Sequence, residues 1–186
     1  MQLTFETKTY WDETWWERLG PIYREAFPHG AKPEKVLRSM LNHGVACMHA
    51  GTLDGEAAAM AITGFSGPAE NKRLILDYMA IRHEIRGKGL GASFFKQIRD
   101  WAASESRVKA IIIEAEAEDT EENRSRLNFW ERCGFIATSY VHQYIWVPEP
   151  YRALYLPLSP GFTVTDDGKS LFRDITSFHQ KSFRGH

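Results

Sequence analysis

Arg86-Gly87-Lys88-Gly89-Leu90-Gly91 puts three glycines and two cationic side chains into six residues. An apolar run over 74–81, with the β-branched Ile75 and Ile81, precedes it and suits a strand. After it, Phe94, Phe95, Ile98, Trp101 and Ala102 recur at spacings of three and four, as on one face of a helix. Strand, glycine-rich turn and helix together make an anion site. The first amides of a helix have no partner within it, and the helix dipole adds positive partial charge there. Glycine lets the backbone approach a ligand closely, so a phosphate or pyrophosphate is the simplest occupant. A second chemistry lies in the strands. Asp77 sits inside the 74–81 run, Glu114 follows Ile111-Ile112-Ile113, and Glu116 shares Glu114's face. A carboxylate within an apolar strand is costly unless it is paired or reaches water, so each is a candidate for proton transfer or for a structural ion pair.

The glycine turn has a plain reading, a helix start with a flexible lead, and a dinucleotide reading. Gly87, Gly89 and Ala92 fit the loose pattern G-x-G-x-x-G/A. A dinucleotide domain, however, places that turn after the first strand of its parallel sheet and needs more βαβ units than this chain offers. That reading falls.

The elements that must position these groups follow from pattern. Residues 2–8 alternate, with Leu3, Phe5 and Thr7 on one side, and predict a first strand. Asp12 can cap a helix with Trp15, Leu19, Ile22 and Ala26 on its apolar face, and Gly20-Pro21 predicts a kink or a division into two short helices. Trp11, Trp15 and Trp16 fit core better than a substrate pocket. A second helix starts at Pro33 and stops at Gly44. Residues 45–65 form a hairpin about Asp54-Gly55. Residues 108–117 read as a buried strand, 121–132 as a helix, 135–147 as a strand and 153–158 as a last short strand. Residues 159–186 form an extension in which Leu171, Phe172, Ile175 and Phe178 predict a helix. Its apolar face needs a partner, either its own domain or a second subunit.

The chain has 186 residues, 43% of them hydrophobic and 25% charged, which suits one ordinary core. A formal net charge of −1 offers no general attraction to nucleic acid or to an anionic membrane. No apolar run approaches the roughly 18 residues of a membrane span. Residues 1–5 show neither a basic region nor an apolar signal core, and Cys47 and Cys133 lack metal-ligand spacing. A cytoplasmic protein with reduced thiols and no metal is expected.

Two motifs carry a resemblance. Arg86, Gly89 and Gly91 occupy the fixed positions of Arg/Gln-x-x-Gly-x-Gly/Ala, and Asn123, Phe129, Gly134 and Phe135 follow the pattern Asn-x-x-Ala-x-x-Phe-Tyr-x-x-x-Gly-Phe, with Arg126 in place of the small residue and Trp130 in place of the tyrosine. Over roughly residues 1–158 the chain resembles the GNAT acetyltransferase superfamily, leaving 159–186 as an appendage. The resemblance implies an α/β fold: a twisted mixed β-sheet with helices on both faces, whose central parallel strands (74–81 and 108–117) splay apart. It implies transfer of an acetyl group from acetyl-CoA to a primary amine, on a small molecule or a peptide, by direct attack. The pyrophosphate would sit on the amides of Arg86, Gly87, Lys88, Gly89, Leu90 and Gly91. Amides near Ala80 and Ile81 would bond the pantetheine arm and the thioester oxygen, and Asn123 would hold the arm from the other side. Trp130 stands where the family often has an acidic tyrosine; an indole N–H donates a hydrogen bond but does not serve as a proton-transfer acid. Tyr140 or Tyr144 could substitute or simply pack. An alkylamine with a pKa of about 10.4 must lose a proton before it attacks. Glu114 is the first candidate for that base, and Asp77 the second. In an unbulged strand Asp77 shares a face with Met79 and Ile81. The alternative is an acyl-CoA-binding sensor or assembly protein without turnover, and the tail could join two copies.

Overall fold

The computed structural model describes residues 2–104 and 107–184. Strand β1 (Thr4–Lys8) is followed by helix α1 (Glu13–Ala26), helix α2 (Glu34–Asn42) and the hairpin of β2 (Ala46–Leu53) and β3 (Glu56–Ser66). Next come β4 (Arg73–Ile81), α3 (Leu90–Ser104), β5 (Ala110–Glu116), α4 (Glu121–Arg132), β6 (Ile136–Gln143), β7 (Pro150–Pro157) and α5 (Lys169–Phe183). The seven strands make one sheet in the order β1-β2-β3-β4-β5-β7-β6, mixed because β4 and β5 run parallel.

Local chemistry explains most boundaries. The Asp12 carboxylate accepts from the Trp15 amide at 2.9 Å and starts α1. Pro33 stands at the N-cap position of α2 without a side-chain bond, and Gly44, at φ 69°, follows the helix end. Asp54 at φ 51° and Gly55 at φ 84° give the primed turn that matches strand twist. The expected division at Gly20-Pro21 does not occur: α1 runs unbroken through Pro21. Burial of Trp16 and Leu19 before the proline, and of Ile22 and Tyr23 after it, offsets the roughly 3 kcal/mol that an interior proline costs. The fully buried tryptophan of α1 is Trp16, not Trp15, which lies partly exposed beneath the Lys8 ammonium at 4.6 Å.

Two apolar layers sandwich the sheet. On one face α1, α2 and α5 pack over Met48, Met60, Ile62, Ile75 and Ile112. On the other, α3 covers Leu74, Leu76, Ile111 and Ile113 through Phe94, Phe95 and Ile98. The tail therefore packs on its own domain: Leu171, Phe172, Ile175 and Phe178 are all buried there.

Two irregularities in the centre of the sheet shape the site. Strands β4 and β5 pair over only three positions, Arg73↔Ala110, Leu74↔Ile111 and Ile75↔Ile112. Beyond Ile75 they diverge, so the β5-facing edge of β4 has no strand partner there. On the opposite edge, Ile62 of β3 pairs with Tyr78 while Thr63 pairs with Leu76. Asp77 is the extra residue of a β-bulge, which aims it and Tyr78 at one face. This corrects the expectation that Asp77 shares a face with Met79 and Ile81, which join the opposite layer.

Candidate active site

The glycine turn has the form an anion needs. Gly87 and Gly89 have φ of 77° and 76°, and a Cβ on either would meet nothing within 4 Å. Both glycines are thus required by conformation and leave the loop surface open. The first helical bond of α3 runs from Ser93 N–H to Gly89 C=O at 3.2 Å, so the amides of Leu90, Gly91 and Ala92 precede it. Arg86 and Lys88 are exposed at the rim. The Arg86 Nε–H bonds the Ile81 carbonyl at 2.8 Å, tying the loop to the end of β4. The Arg86 amide is already given to the His83 carbonyl at 3.2 Å, which removes it from the expected set; the first amides of α3, two cations and open space over Gly87 and Gly89 still fit a coenzyme A pyrophosphate on the chemistry of the donors.

The other named binding residues lie on β4 and α4. Ala80 is buried and Ile81 partly buried on the last residues of β4. Asn123 is buried in the first turn of α4, its Nδ2 donating to the Glu118 carbonyl at 3.1 Å. Trp130 packs edge-on against Phe95, Phe129 and Phe135, with centroids 4.9 to 5.5 Å apart. Phe129 lies beside the glycine turn, where a Cβ on Gly91 would touch its ring at 3.4 Å.

The two strand carboxylates meet in one network. Ile75 pairs with Ile112, so Asp77 and Glu114, each two residues further on, flank the point where the strands part. Asp77 Oδ2 takes a 2.6 Å ion pair from Lys32 Nζ, and both side chains are buried. Lys32 comes from the loop between α1 and α2 and is held at its backbone too. Its N–H donates to Tyr78 Oη at 3.0 Å, and Tyr23 O–H donates to its carbonyl at 2.9 Å. Lys32 Nζ also lies 3.1 Å from His179 Nδ1, and His179 Nε2 lies 2.7 Å from Glu114 Oε1. Tyr144, just past β6, donates to Glu114 Oε2 at 2.7 Å.

Donor bookkeeping settles the imidazole. An ammonium has only protons to give, so Nδ1 of His179 accepts from Lys32, and Nε2 carries the hydrogen donated to Glu114. Burial pushes the Glu114 carboxyl up, but the His179 hydrogen bond and any charge on its ring, the Tyr144 donor and the Lys32 charge outweigh it and hold the group below the usual range. Glu114 is therefore ionised at neutral pH. Burial and the adjacent Glu114 charge raise the Tyr144 phenol far above its ordinary value, so it keeps its proton and acts as a donor rather than an acid. With a neutral imidazole, Asp77, Glu114 and Lys32 leave one uncompensated negative charge beside the split.

Lys32 and His179 were invisible as site residues in the sequence, being 45 and 65 residues from their carboxylate partners along the chain. A separate cleft of about 450 Å³ lies near Arg18, Glu25, Glu56, Arg82 and Glu84. None of the network residues lines it. Arg18 and Arg82 there are already engaged with the Gly55 and Ala57 carbonyls.

Comparison with known proteins gives this geometry a context. No curated protein sequence matches the chain. Among solved structures, an acetyltransferase from Bacillus subtilis in complex with CoA superposes with a TM-score of 0.62 at 14% identity, covering 84% of this chain and 99% of its own. NAA60 of Arabidopsis thaliana in complex with acetyl-CoA gives 0.66 at 12% identity, covering 84% and 99%. A spermidine N-acetyltransferase chimera that includes the Vibrio cholerae protein gives 0.68 at 10% identity, covering 84% and 97%. At such identities the likeness concerns the fold. The sequence model of the acetyltransferase (GNAT) family matches residues 11–135, more than half of the chain and both motifs around the split. On that match the chain belongs to the GNAT acetyltransferase family.

Proposed function

We propose that the protein moves an acetyl group from acetyl-CoA to a primary amine, the amine attacking the thioester directly while both substrates are bound. The observation that carries this reading is the pair of register-matched carboxylates where β4 and β5 part, one neutralised by Lys32 and the other not. An excess negative charge beside the split favours a cationic acceptor. Glu114 has the better claim to the base: both of its oxygens are hydrogen-bonded yet each keeps a further lone pair, enough to accept a proton directly or through one water. Asp77 is committed to Lys32, and removing its charge would leave a buried ammonium unpaired. On this reading Asp77 sets the position of Lys32 and does not take the proton.

The test is incubation with acetyl-CoA and a panel of alkylamines, followed by mass spectrometry for acetylated product. Glu114→Gln is expected to lower kcat/KM at least about tenfold and to flatten the acidic limb of its pH profile. A variant with wild-type rate and pH dependence would remove Glu114 from the mechanism. Saturable acetyl-CoA binding with no product from any amine would favour the sensor reading instead.

A further inference from the structure

We propose that His179, on the helix that follows the matched family segment, is a positioning residue for acyl transfer, fixing the orientation and charge of Glu114 through its Nε2–H. The proposal rests on the amine-acetylation reading above and deepens it. His179 is built into place. Asp174, earlier on α5, takes a 3.1 Å ion pair from Arg73 and a 3.0 Å hydrogen bond from Ser66. Phe178 is fully buried, its ring so close over Gly64 that a Cβ there would lie 2.1 Å from it. With both anchors in the turn of α5 just before it, the imidazole has little freedom to leave Glu114.

A histidine that only tied the tail down would need a single hydrogen bond. His179 uses both nitrogens in opposite senses, accepting from Lys32 and donating to Glu114. The ring thus joins the ion pair on β4 to the base on β5 across the gap where the strands have lost contact. Besides Lys32 and Asp77, the titratable groups around this pair are Glu116 on β5, His142 on β6, Tyr144 after it and Tyr151 on β7. Tyr144 supplies the other donor to Glu114, so removing His179 leaves one donor against the burial of the carboxylate.

Two variants separate positioning from tethering. His179→Leu removes both functions of the ring. His179→Gln keeps one acceptor and one donor on a planar group. In the leucine variant kcat/KM for the amine is expected to fall about tenfold or more, as loss of a hydrogen bond to a charged group implies. Its acidic limb should move to higher pH, while the Kd for acetyl-CoA stays within about twofold. The glutamine variant should recover most of the rate. A parallel loss of melting temperature and rate with an unmoved acidic limb, or failure of glutamine to rescue, would reduce His179 to a tether and overturn the proposal. An activity-independent arm keeps the two readings apart: carboxyl 13C titration of Glu114 by NMR, in wild type and in His179→Leu. A higher titration midpoint in the variant supports positioning even if no amine is acetylated, in which case the acyl-transfer reading alone fails. An unchanged midpoint overturns positioning whatever the activity.

Discussion

At the scale of single residues, polar groups inside the sheet are informative because each must be accounted for. His49 is fully buried, with Nδ1 2.8 Å from Thr7 Oγ1 and Nε2 2.7 Å from Thr63 Oγ1. Phe5 stacks on it and Trp101 meets it edge-on. Burial pushes its pKa down to about 3 from an ordinary 6.5. Between those values the unfolded chain binds a proton that the folded chain refuses, so stability rises with pH across this window and is lost as pH falls. The slope from this one group is about 1.4 kcal/mol per pH unit. Urea unfolding of wild type and His49→Gln at several pH values from 4 to about 5.5, inside that window, measures it. The wild type should lose about 1.4 kcal/mol more per unit than the variant, and parallel curves would refute the account. Nothing in the sequence flags His49. Asp77 and Glu114, by contrast, stand out as carboxylates inside apolar runs, and the structure brings them to one network. What that pattern does not contain is who answers each charge. Lys32 sits in an ordinary polar loop and His179 in a tail, and only the fold unites residues separated by 147 positions.

At the scale of elements, legibility follows the range of the forces involved. Caps and turns act within a few residues, and so the Asp12 start, the Asp54-Gly55 turn and the 121–132 helix can be read directly. The bulge at Asp77 leaves no local trace, since the apolar run continues across it, and it decides which face the carboxylate takes. The tail's helical pattern is equally plain, yet its apolar face would suit its own domain or a second subunit. Gly64 of β3 records the answer. A Cβ there would lie 2.1 Å from the Phe178 ring and 2.7 Å from the Val45 carbonyl oxygen, so the residue is kept small to seat α5. Gly64→Ala should therefore destabilise the protein by about 1–3 kcal/mol, the usual cost of overpacking. Adding Phe178→Ala relieves the ring clash, so the double variant should cost clearly less than the sum of the two single changes. Chemical unfolding of the four proteins checks this. Strict additivity would mean that Phe178 does not press on Gly64.

At the scale of the whole molecule, no helix among the described residues is long and apolar enough to cross a membrane. The matched family segment ends at residue 135, but the network at the split depends on later residues, Tyr144 and His179. The chain thus combines a loop legible from six residues with a carboxylate network assembled from residues as far apart as Lys32 and His179. This division predicts which perturbations separate. Acetyl-CoA at about a hundred times its Kd should stabilise the fold by about 2.7 kcal/mol, a melting shift of roughly 5–10 °C for a chain of this size. NAD should give no comparable shift, and the Glu114→Gln protein should respond to acetyl-CoA like wild type. Gly89→Val should respond least. Gly89 lies at φ 76°, which a β-branched residue rarely adopts, so the backbone must leave the conformation that presents the first amides of α3. That strain also lowers the starting melting temperature of the variant. The telling quantity is therefore the shift on adding ligand, measured from each protein's own baseline. A full acetyl-CoA shift in Gly89→Val, or an equal shift with NAD in wild type, would break the link between the glycine turn and coenzyme A.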